Sequence, residues 1–255
     1  MQNPVTTLLI AASLIVAVVT LAGCAPERAQ LGLSEAPTEV VTPTPTPTPT
    51  PTFDMAAQSL DDPASYWVVV NKLRPLNPAD FVAPDLVAVA VDYVYAPQLR
   101  AEPAAQVVAM FAAFNAETGF VMQSQSAYRS YSAQVSTYNG WVDKLGQADA
   151  DLTSARPGHS EHQTGLAIDV SALPANCSLD QCFADTAQGQ WLAQHAWEYG
   201  FVLRYPNGYT NITGYEFEPW HYRYVGLDLA KEFHDTGATT LEEFFGLAAA
   251  PTYAG

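Results

Sequence analysis

Side chains able to hold a metal ion are concentrated in two short stretches. One runs Ser160-Glu161-His162-Gln163-Thr164-Gly165-Leu166-Ala167-Ile168-Asp169, and the other is Glu218-Pro219-Trp220-His221. On a single α-helix His162 and Asp169 would share a face but lie about 10.5 Å apart along the axis, too far to share one ion. In one flat strand they would point to opposite faces. They converge if His162 lies in a loop, Gly165 supplies a bend and Asp169 points inward from a short strand. Pro219 keeps a regular central strand out of the second stretch, so Glu218 and His221 are free to converge too. Two neutral imidazoles and one carboxylate around Zn2+ leave a net positive site with a fourth position open, as catalysis requires.

The elements that must position these residues mix both periods. Strands are predicted over residues 66–71, 87–95, 120–124, 166–170 and 221–225, which are rich in β-branched and aromatic types. Helices are predicted over 104–118, 130–145, 186–199 and 227–234. In the first, Val107, Phe111 and Phe114 share a face, Pro103 suits a first turn and Gly119 a C-terminal stop. Their irregular order points to an α+β fold and against a doubly wound sheet. Hydrophobic types make up 49% of the 255 residues and charged types 14%, enough for a core and incompatible with wholesale disorder. With 26 acidic and 10 basic residues the formal charge is -16, the opposite of what phosphate backbones select, so no nucleic-acid partner is expected.

Residues 1–23 contain no Lys, Arg, Asp or Glu, and the apolar run from Leu8 to Leu21 spans 14 residues. That suits an export signal better than a membrane span of about 20 residues, although an uncleaved anchor helix is the alternative. The run ends in Leu21-Ala22-Gly23-Cys24, which resembles the lipobox of bacterial lipoproteins and implies a lipid anchor on Cys24. Either reading exports the remainder and tethers it to the membrane, facing the cell wall or periplasm. Residues 24–60 offer little to bury, and Thr and Pro alternate from Thr42 to Thr52. Each Pro fixes its own φ and extends its predecessor, so this linker should hold a polyproline II rod of about 34 Å, a spacer off the membrane. Residues 61–255 then form one domain of ordinary size. Cys177 and Cys182 enclose four residues. In an oxidising compartment a disulfide is expected in preference to free thiols or a thiolate zinc site.

The pattern Ser160-x-His162-x-x-Gly165-x-Ala167-x-Asp169 followed by Glu218-Pro219-Trp220-His221 resembles the VanY-type D-alanyl-D-alanine carboxypeptidases of bacterial walls. Further segments match in order: Val70-Asn71-Lys72, Ser126-Ala127-Tyr128-Arg129-Ser130-Tyr131 with Gln134, Pro157-Gly158-His159, and Gly200-Phe201-Val202-Leu203-Arg204-Tyr205-Pro206. The likeness extends from about Tyr66 to Leu241. It implies a zinc peptidase with the fold shared by wall peptidases and the hedgehog signalling domain, an antiparallel sheet flanked by helices. It implies removal of the C-terminal D-alanine from peptidoglycan stem peptides, through a D,D- or an L,D-bond.

By the same resemblance His162, Asp169 and His221 are the zinc ligands and Glu218 is the general base, taking a proton from water and delivering it to the departing amine. Arg129, a planar fork that stays protonated, suits an oxyanion or a carboxylate. Ser160 and Gln134 are candidates for the substrate's terminal carboxylate, with Arg204 and Arg223 weaker ones. A non-catalytic zinc domain that binds wall peptides or a protein partner is the alternative function, and Glu218 argues for the enzyme, because a binding module needs no base beside the metal.

Other chemistry-bearing residues read as structural. His159 is expected in packing or behind the ligands, and His195 and His234 on helix surfaces. Trp67, Trp191 and Trp220 are expected in the core. Asp149 and Asp151 read as a solvated loop, since the remaining oxygens of a calcium loop are missing. Asn211-Ile212-Thr213 fits a glycosylation acceptor, which a bacterial lipoprotein gives little reason to use. A monomer is expected.

Overall fold

A computed structural model describes residues 53–254. The leader, Cys24 and the Thr-Pro tract lie outside the described residues. In chain order the elements are β1 (Leu86–Ala88), β2 (Gln98–Arg100), α1 (Ala101–Thr118), β3 (Val121–Ser126), α2 (Tyr131–Leu145), α3 (Gln147–Thr153), β4 (Ala167–Leu173), α4 (Ala187–His195), β5 (Phe201–Leu203), α5 (Thr210–Thr213), β6 (His221–Tyr224), α6 (Leu227–Asp235) and α7 (Leu241–Phe244). Strands β3, β4, β6 and β5 form an antiparallel sheet in that order, and β1 pairs with β2 in a separate ribbon. With helices around the sheet, this is the α+β architecture expected.

The period of two in the strands decides which side chains reach the core. Ile168 and Val170 of β4 join Tyr222 and Tyr224 of β6 in a cluster completed by Val107, Met110 and Phe114 of α1. Their odd-numbered neighbours, Asp169, His221 and Arg223, therefore face the other way. A second cluster gathers Val202 and Val225 with Leu229 and Phe233 of α6 and with Trp67. Helix α1 ends at Gly119, whose φ of 73° is the left-handed stop read from the sequence. Helix α2 starts at Ser130, whose Oγ accepts the Ala133 N–H at 3.2 Å.

Four expectations need correction. Residues 66–71 are buried and apolar but form no strand, because arginine side chains take the carbonyls that a neighbouring strand would have used. Arg223 Nη2 donates to Tyr66 O and Val68 O, and Arg74 Nε donates to Val69 O. Of residues 87–95 only the start belongs to β1; beyond it an isolated bridge joins Tyr93 to Ser124. Asp149 and Asp151 lie on α3 and not in a loop, and Asp151 receives hydrogen bonds from Tyr138 and Arg156. Packing also starts upstream of Asp61, where Phe53 stacks on Trp67 at 5.5 Å.

Candidate active site

Two of the three proposed ligands are cross-strand neighbours. Asp169 on β4 pairs with His221 at the start of β6, so both side chains leave the sheet on one face. Upstream of His221 the chain turns, with His221 N donating to Glu218 O at 3.0 Å, and this brings Glu218 beside the pair. Pro219 and Trp220 occupy that turn, which is why Glu218 escapes strand alternation. The bulge between Ser124 and Ser126 on β3 falls where Ser126 pairs with Asp169, bending the sheet edge at the site.

His162 arrives from a 3-10 turn, Glu161–Thr164, that ends at Gly165. Gly165 has φ 70°, and a Cβ there would lie 2.7 Å from Leu86 Cδ2, so the bend requires glycine. The turn places His162 Nε2 at 3.3 Å from Asp169 Oδ2, while Asp169 Oδ1 lies 3.1 Å from His221 Nδ1. One donor atom from each of His162, Asp169 and His221 falls within 4.8 Å of the others.

The two imidazoles present opposite nitrogens. His162 Nδ1 lies 2.7 Å from Ala127 O and can only donate there, leaving the Nε2 lone pair free. His221 Nε2 lies 3.2 Å from the Glu161 carboxylate, which leaves Nδ1 facing Asp169. Among the described residues Asp169 Oδ1 is buried and receives no hydrogen bond. A buried carboxylate with one oxygen lacking a donor, set between two imidazoles, is what a borderline-soft divalent cation completes, and the N,N,O set fits zinc.

Burial would raise the Asp169 carboxyl, but His162 and His221 hold it well below the usual carboxylate range. Burial likewise pulls His162 down; in His221 the same pull is outweighed by Asp169 and Glu161, which hold it up to about 9 without metal. Burial pushes Glu218 up to about 8, with the Asp169 charge adding to the effect and His221 opposing it. Glu218 Oε2 stays 3.6 Å from His221 Nδ1. It thus lies beside the ligand cluster without completing it.

These groups open on a cleft of about 900 Å³ also lined by Arg129, Gln134, Ser160 and Trp220. Arg129 is held in place by its backbone N–H, which donates to His162 O at 3.1 Å. Among the described residues its guanidinium makes no hydrogen bond or ion pair, and burial lowers its pKa against the pull of Asp169 and Glu218. Gln134 spends its Nε2 on Ala155 O and leaves a buried Oε1 without a partner. Trp220 packs against the main core, partly buried, and also lines the cleft.

Arg204 and Arg223 do not serve the cleft as anticipated. Both are fully buried, and Glu161 Oε1 accepts from Arg204 Nε and Arg223 Nη1, each at 2.8 Å. Arg204 also forms a two-pronged pair with Glu242 of α7 at 2.7 and 2.9 Å. Sequence reasoning gave Glu161 no role, yet it links both guanidiniums to His221. The available signal was an acidic residue directly next to a ligand. His159 packs as expected, its Nδ1 2.8 Å from Asn71 O, and Cys177 and Cys182 are bridged.

Sheet and side-chain set together define a class, metallopeptidases built on an antiparallel sheet. The VanY family, described as D-alanyl-D-alanine carboxypeptidase, matches residues 96–227, and the chain belongs to that family. YodJ of Bacillus subtilis, which carries the name of a carboxypeptidase, is 38% identical over 192 residues, covering 74% of this chain and 70% of that protein. The solved LdcB LD-carboxypeptidase superposes with a TM-score of 0.66 at 38% identity, over 73% of this chain and 88% of the other. The D,D-pentapeptidase VanY of a VanB-type resistance cassette, solved with Zn(II), superposes with a TM-score of 0.58 at 29% identity, over 69% and 97% of the two chains.

Proposed function

We propose that this chain is a zinc carboxypeptidase that removes the C-terminal D-alanine from peptidoglycan stem peptides, exported and held at the membrane by lipid on Cys24. The observation carrying the enzymatic part is the Asp169–His221 cross-strand pair, joined by His162 and flanked by an uncommitted Glu218 and Arg129. Zinc held by His162, Asp169 and His221 supplies Lewis acidity toward water and the scissile carbonyl.

Glu218 takes the proton from water as its oxygen bonds to the carbonyl carbon, and returns that proton to the amine as the C–N bond breaks. Arg129 offers two parallel N–H donors to the substrate's carboxylate or to the oxyanion. Ser160 and the free Gln134 Oε1 border the same space and complete the polar lining. Incubating the protein with synthetic tetra- and pentapeptides and identifying the amino acid released tests this reading and decides between L,D- and D,D-cleavage. A protein that binds zinc and peptide yet releases no D-alanine would be a binding module.

The anchor is supported by the Leu21–Cys24 pattern and by the Thr-Pro spacer behind it. It places a monomeric domain outside the membrane, facing the cell wall or periplasm. Cys24→Ser should abolish lipid attachment, read as loss of membrane partitioning and a change in mobility. Unchanged partitioning would favour an uncleaved helix.

A further inference from the structure

We propose that residues 177–182 form a wall of the cleft, clamped by the Cys177–Cys182 bridge, and that Leu179 determines specificity by contacting the stem peptide upstream of the scissile bond. This rests on the peptidase reading and deepens it. The cleft, about 900 Å³, lies near the top of the roughly 300–1,000 Å³ range of small-ligand sites, far more than a terminal alanine fills. Several residues of peptide must therefore lie in it, and something other than the metal cluster must hold them. Leu179 lines this cleft with Asp180 and Gln181.

Leu179 is placed there against two local preferences. The residue is 45% exposed, and its φ is 52°, a left-handed backbone that a leucine rarely adopts. Cys177, two residues earlier, has φ 53°. Strained backbone of this kind persists only where its surroundings over-determine it, and it gathers at ligand clamps. The surroundings here are visible. Cys177 packs against the main core, and Phe183, directly after Cys182, is fully buried in it. Asp180 Oδ1 accepts the Cys182 N–H at 3.0 Å, which fixes the backbone directly after Leu179.

The bridge itself points the same way. It spans a separation of only five residues, and closing so short a loop constrains the unfolded chain least, so global stability is a weak reason for it. What it fixes is local shape. An aliphatic side chain held half-exposed at a peptide cleft gains burial when the substrate's own aliphatic parts cover it.

Full-length Leu179→Ala, and separately the double variant Cys177→Ser with Cys182→Ser, should be assayed on a stem peptide and on an N-acetylated dipeptide ending in the same bond. Zinc content and Tm are measured on each preparation. For both variants the ratio of kcat/KM on the stem peptide to that on the dipeptide should fall about tenfold, the loss appearing in KM, as expected for a lost apolar contact. Zinc content should stay at the wild-type level. Wild-type ratios in both variants, with only Tm lowered in the double variant, would overturn the wall and leave the peptidase reading standing. A wild-type protein that cleaves neither peptide would overturn both.

Discussion

Replacing Glu161 by Gln tests whether the metal cluster depends on charge that never touches the substrate. Gln keeps the shape and one acceptor, but it removes the negative charge shared by Arg204, Arg223 and His221 at 2.8, 2.8 and 3.2 Å. Both guanidiniums and the imidazole are buried, and removing one partner from a buried ion pair costs about 3–5 kcal/mol. For a domain of this size about 2–4 °C accompanies each kcal/mol, so Tm should drop by roughly 6–20 °C. The new amide can also point its NH2 at His221 Nε2, so the imidazole is no longer held to one tautomer. Loss of such an outer partner lowers metal affinity about 10- to 100-fold. Glu242→Gln is the control: it strips charge from the same Arg204 but makes no contact with His221. Thermal melts and zinc titration against a competing chelator on both variants separate the two effects. Both should melt early, and only Glu161→Gln should bind zinc markedly more weakly. Equal zinc affinity in the two variants would refute the linkage through His221.

Glu218→Gln should retain zinc near one equivalent while turnover falls by about 10²- to 10⁴-fold; loss of the metal would make Glu218 a ligand. Arg129→Lys should lose activity although it keeps the charge, because a point charge cannot replace two parallel hydrogen bonds, and retention of nearly full kcat/KM would refute the fork. If the defect lies in KM alone, Arg129 holds the substrate carboxylate; equal falls in kcat and kcat/KM place it at the oxyanion. Asp151→Asn should destabilise by about 1 kcal/mol at pH 7, since partly exposed charge pairs are modest. Burial would raise the Asp151 carboxyl, but Arg156 and Tyr138 hold it low, so its contribution is present above about pH 4, the unfolded value, and fades as pH falls through the lower folded one. Melts of wild type and variant should therefore converge as pH falls below the unfolded value, and a constant gap would show that charge is not the cause.

The ligand residues were legible because chemistry and local geometry coincide in them. A separation of seven positions between His162 and Asp169 excludes one helix and one flat strand, and Gly165 marks where the chain must bend. Cross-strand pairing of Asp169 with His221 was not legible, since nothing in either stretch names its partner across the sheet. Arg204 and Arg223 misled for a related reason. A lone arginine near a substrate motif looks like a substrate contact, and its real counter-ions, Glu161 and Glu242, lie some forty residues away or more along the chain. Residues 66–71 have the composition of a central strand, but side-chain donors from Arg74 and Arg223 satisfy carbonyls that composition assigns to a ladder.

Glu242 also bears on how the molecule comes to exist. It receives hydrogen bonds from Asn71, near the start of the domain, and from Arg204, which in turn reaches Glu161 beside the first ligand. Closing a contact across 171 residues is slow, because the entropy of so large a loop is lost before the contact repays it. Until α7 docks, Arg204 lacks one of its two carboxylates, so the final burial of this ion-pair cluster should be a late event in maturation. His221, whose outer partner is Glu161 and not Glu242, can be oriented for the metal before the C-terminal helix arrives.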